Sequence, residues 1–76
     1  MSPAEPEEGH AIVCRLDELL TARNMTLTEL SRLVGVSLVN LSVLKNNRAR
    51  AIRFSTLTAI CRELDCAVGD LLVLDD

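Results

Sequence analysis

The chain has 76 residues, of which 49% are hydrophobic and 1% aromatic, with a formal net charge of −3. A chain of this length holds one small domain and leaves no room for an active-site cleft between two domains. Its longest apolar runs, such as Leu71 to Leu74, fall far short of the roughly 20 residues that span a bilayer, which excludes a transmembrane helix.

Residues 1–9 carry Pro3, Pro6, Glu5, Glu7 and Glu8 and read as a disordered acidic lead, too polar to bury anything. They offer neither the basic nor the apolar region of a secretory signal, so a cytoplasmic address is expected. The folded domain is expected over residues 10–76. From Ala11 to about Arg23, Ile12, Val13, Leu16, Leu19 and Leu20 recur at helical spacing, predicting a first helix that ends around Asn24.

Thr26 followed three residues later by Glu29 is a capping box, and it predicts a second helix with Leu27, Leu30, Leu33 and Val34 on its buried face. Gly35 ends that helix, because glycine takes the left-handed conformation there without strain. Ser37 then caps a third helix running to Lys45, which Asn46 and Asn47 close. A basic loop follows from Arg48 to Arg53. A fourth helix starts near Phe54 or Ser55 and turns Leu57, Ile60, Cys61 and Leu64 inward, with Phe54 as the one ring of the core. A short fifth helix covers roughly Val68 to Leu72, and Val73 to Asp76 form a short strand or an extended tail. The expected fold is therefore all-α, a compact five-helix domain.

The net charge looks wrong for a nucleic-acid binder, but its distribution does not. Between Leu30 and Arg62 stand Arg32, Lys45, Arg48, Arg50, Arg53 and Arg62 with no Asp or Glu, while all eleven acids lie outside. Such segregation gives a dipolar protein whose basic patch steers towards a polyanion. Two short helices joined by a tight glycine turn, with a cap directly behind it, form a helix-turn-helix signature. In that geometry the second helix enters the major groove.

The stretch from Met25 to Leu72 resembles the Cro/C1-type (XRE) helix-turn-helix family. The resemblance rests on Asn40-Leu41-Ser42-Val43-Leu44-Lys45-Asn46, on Ala51-Ile52-Arg53-Phe54-Ser55-Thr56-Leu57, and on Cys66 followed by Gly69-Asp70-Leu71-Leu72. It implies a Cro/repressor-like domain in which the third helix, residues 37–46, reads duplex DNA, with transcriptional regulation as the activity. Ser37, Asn40 and Ser42 are the polar candidates for base contact, Asn40 pairing bidentately with an adenine edge. Leu38, Val39 and Val43 stand where relatives carry polar residues, and they suit contact with thymine methyl groups. Lys45, Arg48, Arg50 and Arg53, with Thr28 at the start of the second helix, are the candidates for phosphate contact. The same apolar face of Leu38, Val39 and Val43 equally suits a protein-interaction module on this fold.

Other chemistries lack their parts. Cys14, Cys61 and Cys66 with His10 have no close C-x-x-C pair and read as buried thiols rather than a metal site. The sole histidine, the absence of a nucleophile elbow and the absence of a glycine-rich phosphate loop leave no catalytic constellation, so no enzyme and no cofactor are expected. Single-stranded RNA recognition usually uses aromatic platforms, and the chain offers only Phe54, which the fourth helix is expected to bury, so duplex DNA is favoured. A homodimer is expected on a two-fold DNA site, the run Leu71 to Leu74 supplying the interface, with no membrane partner and no small-molecule ligand evident.

Overall fold

In the computed structural model, which describes residues 10–75, two short strands bracket five helices: β1 (Ile12–Cys14), α1 (Leu16–Ala22), α2 (Leu27–Val34), α3 (Leu38–Lys45), α4 (Phe54–Leu64), α5 (Val68–Leu71) and β2 (Leu72–Leu74). The acidic lead expected over residues 1–9 lies outside the described residues. Among the described residues no helix is long and apolar enough to cross a membrane.

The five helices are as expected, but the domain is not all-α. Residues 12–14, read as the first turn of a helix, form instead a strand that pairs antiparallel with β2, Ile12 opposite Leu74 and Cys14 opposite Leu72. Ile12 and Val13 are β-branched and suit a pleated strand. Their spacing from Leu16 fits a helix equally well, so the decision comes from the distant partner Leu72-Val73-Leu74. Arg15 N–H donates to the Leu71 carbonyl at 2.7 Å and Asp75 N–H to the Ala11 carbonyl at 2.8 Å, bracketing the ribbon. In this register the N–H groups of Ile12 and Cys14 point away from β2. Side chains take them up: His10 Nδ1 accepts from Ile12 at 3.1 Å and Asn47 Oδ1 from Cys14 at 2.7 Å.

The predicted caps of α2 are present. Thr26 Oγ1 accepts the Glu29 N–H at 3.1 Å, and Thr26 N–H donates back to Glu29 Oε1 at 3.1 Å. Leu30 is fully buried, with Leu27 and Val34 half-buried beside it. Leu33, expected on the same face, is 50% exposed. At 3.6 residues per turn, Leu27 and Val34 sit on one shoulder of Leu30 and Leu33 on the other, and the core covers only the first.

Four helices end at a left-handed residue: Asn24 after α1, Gly35 after α2, Asn47 beyond α3 and Asp65 after α4, with φ of 55°, 71°, 62° and 49°. Gly, Asn and Asp are the residues that tolerate this conformation. A Cβ at Gly35 would meet nothing within 4 Å, so backbone conformation rather than space favours glycine there.

The fully buried side chains are Leu16, Leu30, Leu41, Ile60, Leu64 and Leu71. α2 packs on both α3 and α4, α1 on α3, and α5 on α4. Phe54 does not join them: it is 85% exposed. Along α4 burial falls from Ile60 through half-buried Leu57 to the first residue, Phe54, which overhangs the packed part of the helix. The core is thus aliphatic throughout, apart from the Cys14 and Cys61 thiols.

Candidate nucleic-acid interface

The turn between α2 and α3 is held from both sides. Ser31 Oγ, on the last full turn of α2, donates to the Val36 carbonyl at 2.6 Å. On the far side Ser37, extended at φ −60° and ψ 148°, accepts the Asn40 N–H on its hydroxyl at 3.1 Å. Three residues, Gly35 to Ser37, therefore redirect the chain with fixed geometry, and α3 begins in a defined orientation against α2.

α3 has apolar side chains all round. Leu41 and Leu44 point into the core, while Leu38, Val39 and Val43 are 45%, 72% and 37% exposed. A short helix that is apolar on its outer side has a reason to meet something other than water. Asn40 and Ser37 are exposed at its start, and Ser42 is half-buried with its hydroxyl accepting from Asn46 Nδ2 at 3.2 Å.

Beyond Asn47 the chain runs without regular structure to Arg53 and passes alongside α3. Between them lies an open groove of about 640 Å³ whose walls bring together Ser37, Asn40 and Val43 of α3, Arg48, Arg50 and Arg53 of the loop, and Thr56 of α4. No carboxylate of the described residues lines it. An acid-free groove with three guanidinium-bearing residues on its wall presents a positive field to an approaching polyanion.

Of the residues singled out from the sequence, Ser37, Asn40, Val43, Arg48, Arg50 and Arg53 thus converge on one groove. Leu38, Val39, Ser42 and Lys45 are on α3 but outside the groove lining, and Thr28 is exposed on the first turn of α2. Thr56 was missed, since a threonine inside a helix carries no sequence signal for such a place. Ser31 was missed for the same reason.

The thiols are free, with Cys14 and Cys61 buried and Cys66 half-buried. Burial pushes the Cys14 thiol up, and it pushes Cys66 up to about 11, helped by the neighbouring Cys61. Thiols so shifted are protonated at neutral pH and are poor nucleophiles and metal ligands. Among the described residues no group of three or more His, Cys, Asp or Glu side chains is placed to hold a metal ion.

Two packed helices at a three-residue turn, the second exposed beside a basic loop, define a helix-turn-helix protein. Residues 15–76 match the Cro/C1-type HTH DNA-binding domain, and the chain belongs to that family. It is also similar to the Bacillus subtilis (strain 168) protein described as "Uncharacterized HTH-type transcriptional regulator YozG", 53% identical over 62 residues that cover 82% of this chain and 74% of the relative.

Proposed function

We infer that this protein is a sequence-specific regulator of transcription that inserts α3 into the major groove of duplex DNA. The observation that carries the reading is the groove in which the exposed start of α3 faces Arg48, Arg50 and Arg53 with no carboxylate of the described residues between them. Membership in a DNA-binding family and similarity to a protein described as a transcriptional regulator support it.

On this reading Ser37, Asn40 and Ser42 meet base edges, and Leu38, Val39 and Val43 lie against thymine methyls. Lys45, Arg48, Arg50, Arg53 and Thr28 hold phosphates, fixing register without reading sequence. Two copies occupy half-sites about one helical turn apart. Leu71 is fully buried and Leu72 half-buried, so of the run expected at the dimer interface only Leu74, 68% exposed, is well presented, with its cross-strand neighbour Ile12. The exposure of Val39 favours a second reading, in which the outer face of α3 docks a protein.

Selection of bound sequences from random duplex DNA at two salt concentrations tests both. Enrichment of a short inverted repeat supports the dimeric regulator, with Asn40→Ala relaxing specificity at one position by about 1–3 kcal/mol. No enrichment, and weak binding that vanishes at moderate salt, rejects it in favour of the protein-docking face.

A further inference from the structure

A second groove, of about 350 Å³ and mostly apolar, lies on the other side of the same loop, between the β-ribbon and residues 49–52. Ile12, Leu72, Leu44 and Ile52 form its walls, and its polar rim is His10, Asn47 and Arg50. As in the first groove, no carboxylate of the described residues takes part. Residues 49–52 are shared by the two grooves, so whatever sits in one lies against the loop that shapes the other.

The chain itself brings an anion to this place. His10, on the rim, is the residue through which positions 1–9 join the domain, and Glu5, Glu7 and Glu8 precede it directly. A chain spans at most about 3.5 Å per residue, so Glu8 reaches about 7 Å from His10 and Glu5 about 18 Å. That range takes in the near rim and the loop beyond it. Three carboxylates are thereby tethered within reach of a groove that has Arg50 on its rim, and a short tether holds a ligand at an effective concentration in the millimolar range.

We propose that the acidic segment Glu5–Glu8 docks over the loop Arg48–Arg53 from the rim of the second groove and competes there with DNA phosphates. The inference rests on the DNA-binding reading for its consequence, but the docking is a property of the free protein. Non-specific DNA offers only phosphates and is displaced most. A specific site adds base contacts by α3 that the segment does not imitate, so the segment widens the gap between specific and non-specific binding.

The test compares the full chain with the triple variant Glu5→Gln, Glu7→Gln, Glu8→Gln. Its control is a second triple, Asp17→Asn, Glu63→Gln, Asp65→Asn, which changes net charge equally at exposed positions away from this groove. The first variant is expected to bind random duplex DNA on the order of threefold to tenfold more tightly at low salt, the gain fading as salt rises. The control is expected to gain much less. In the free protein, the backbone amide resonances of Arg50, Ala51 and Ile52 are expected to move in the first variant and not in the control. Equal gains by the two variants, or unmoved loop resonances, overturn the proposal. If neither protein binds DNA the functional reading fails instead, and the resonances alone decide whether the segment docks.

Discussion

Asn47 Oδ1 accepts the backbone N–H of Cys14 at 2.7 Å across 33 residues of sequence. The same residue stands at φ 62° beyond the end of α3, so its backbone closes a helix while its side chain seals the outer edge of a strand. The two roles separate by substitution. Asn47→Gly keeps the left-handed backbone and loses only the clamp, and it is expected to cost about 1–2 kcal/mol in urea denaturation because a partly buried donor is orphaned. Asn47→Ala adds the left-handed strain of an ordinary residue, about 1 kcal/mol more. A glycine variant as stable as the parent would show that the clamp contributes nothing.

The capping box makes stability depend on acid in a defined direction. The Thr26 backbone N–H, then its hydroxyl, hold the Glu29 carboxyl below its ordinary value. A carboxyl lowered by folding stabilises the native state above its unfolded value, about 4.3 for glutamate, and that contribution is lost as the pH falls through the folded one. Thr26→Ala is expected to cost about 1 kcal/mol at neutral pH. Thermal melts should then show the difference between parent and variant narrowing as the pH is lowered from 7 to 3. A constant difference would assign the cost to the Thr26 cap alone.

Phe54 separates a core ring from a surface ring. At 85% exposure, Phe54→Ala should change the folding free energy by less than about 0.5 kcal/mol, the scale of ordinary surface changes. Loss of a packed phenylalanine would cost about 3–5 kcal/mol. Chemical denaturation distinguishes the two without ambiguity.

The assignment of Lys45, Arg48 and Arg53 to phosphates has a signature that base contact lacks. Replacing any one by Gln should weaken binding to all sequences alike and reduce the salt slope of the logarithmic binding constant by about 0.9 for each phosphate no longer neutralised. Val39→Ala, by contrast, should alter preference at a thymine position and leave the slope unchanged. A Val39 variant that binds every sequence normally would remove that side chain from the readout.

What was legible in the sequence was whatever its local chemistry decides. The limits of α3 followed from Ser37 on one side and the asparagine pair on the other, and the turn before it from Gly35. Asp65 terminates α4 in the same left-handed way, but an aspartate has many other uses and gave no warning. The ribbon was half legible: residues 73–76 already read as a strand or an extended tail, whereas Ile12 and Val13 fitted a helix until Leu72 to Leu74 were brought beside them. Phe54 was misplaced because hydrophobicity predicts that a residue would gain from burial, not that a neighbour exists to bury it. For the candidate site, the cluster of cations was plain from charge alone. The groove that gathers them, and Thr56 within it, depends on how the loop folds back along α3, which no local pattern encodes.

The ribbon also bears on the order in which the domain assembles. Its partners, Ile12 and Leu74, are separated by nearly the whole folded chain, and closing a loop of roughly sixty residues costs on the order of 4 kcal/mol of chain entropy. The few hydrogen bonds of three-residue strands, at about 1 kcal/mol each, no more than match that cost, and fixing the strand backbone costs about 1 kcal/mol or more per residue besides. The helices must first bring the two segments together, after which the ribbon closes late and opens early. Amide hydrogens of Val13 and Val73 should therefore exchange with solvent sooner than those of Ile60 and Leu64 in the heart of α4. Each such opening withdraws the Cys14 donor from Asn47, so the residue that closes α3 loses its long-range partner whenever the strands part.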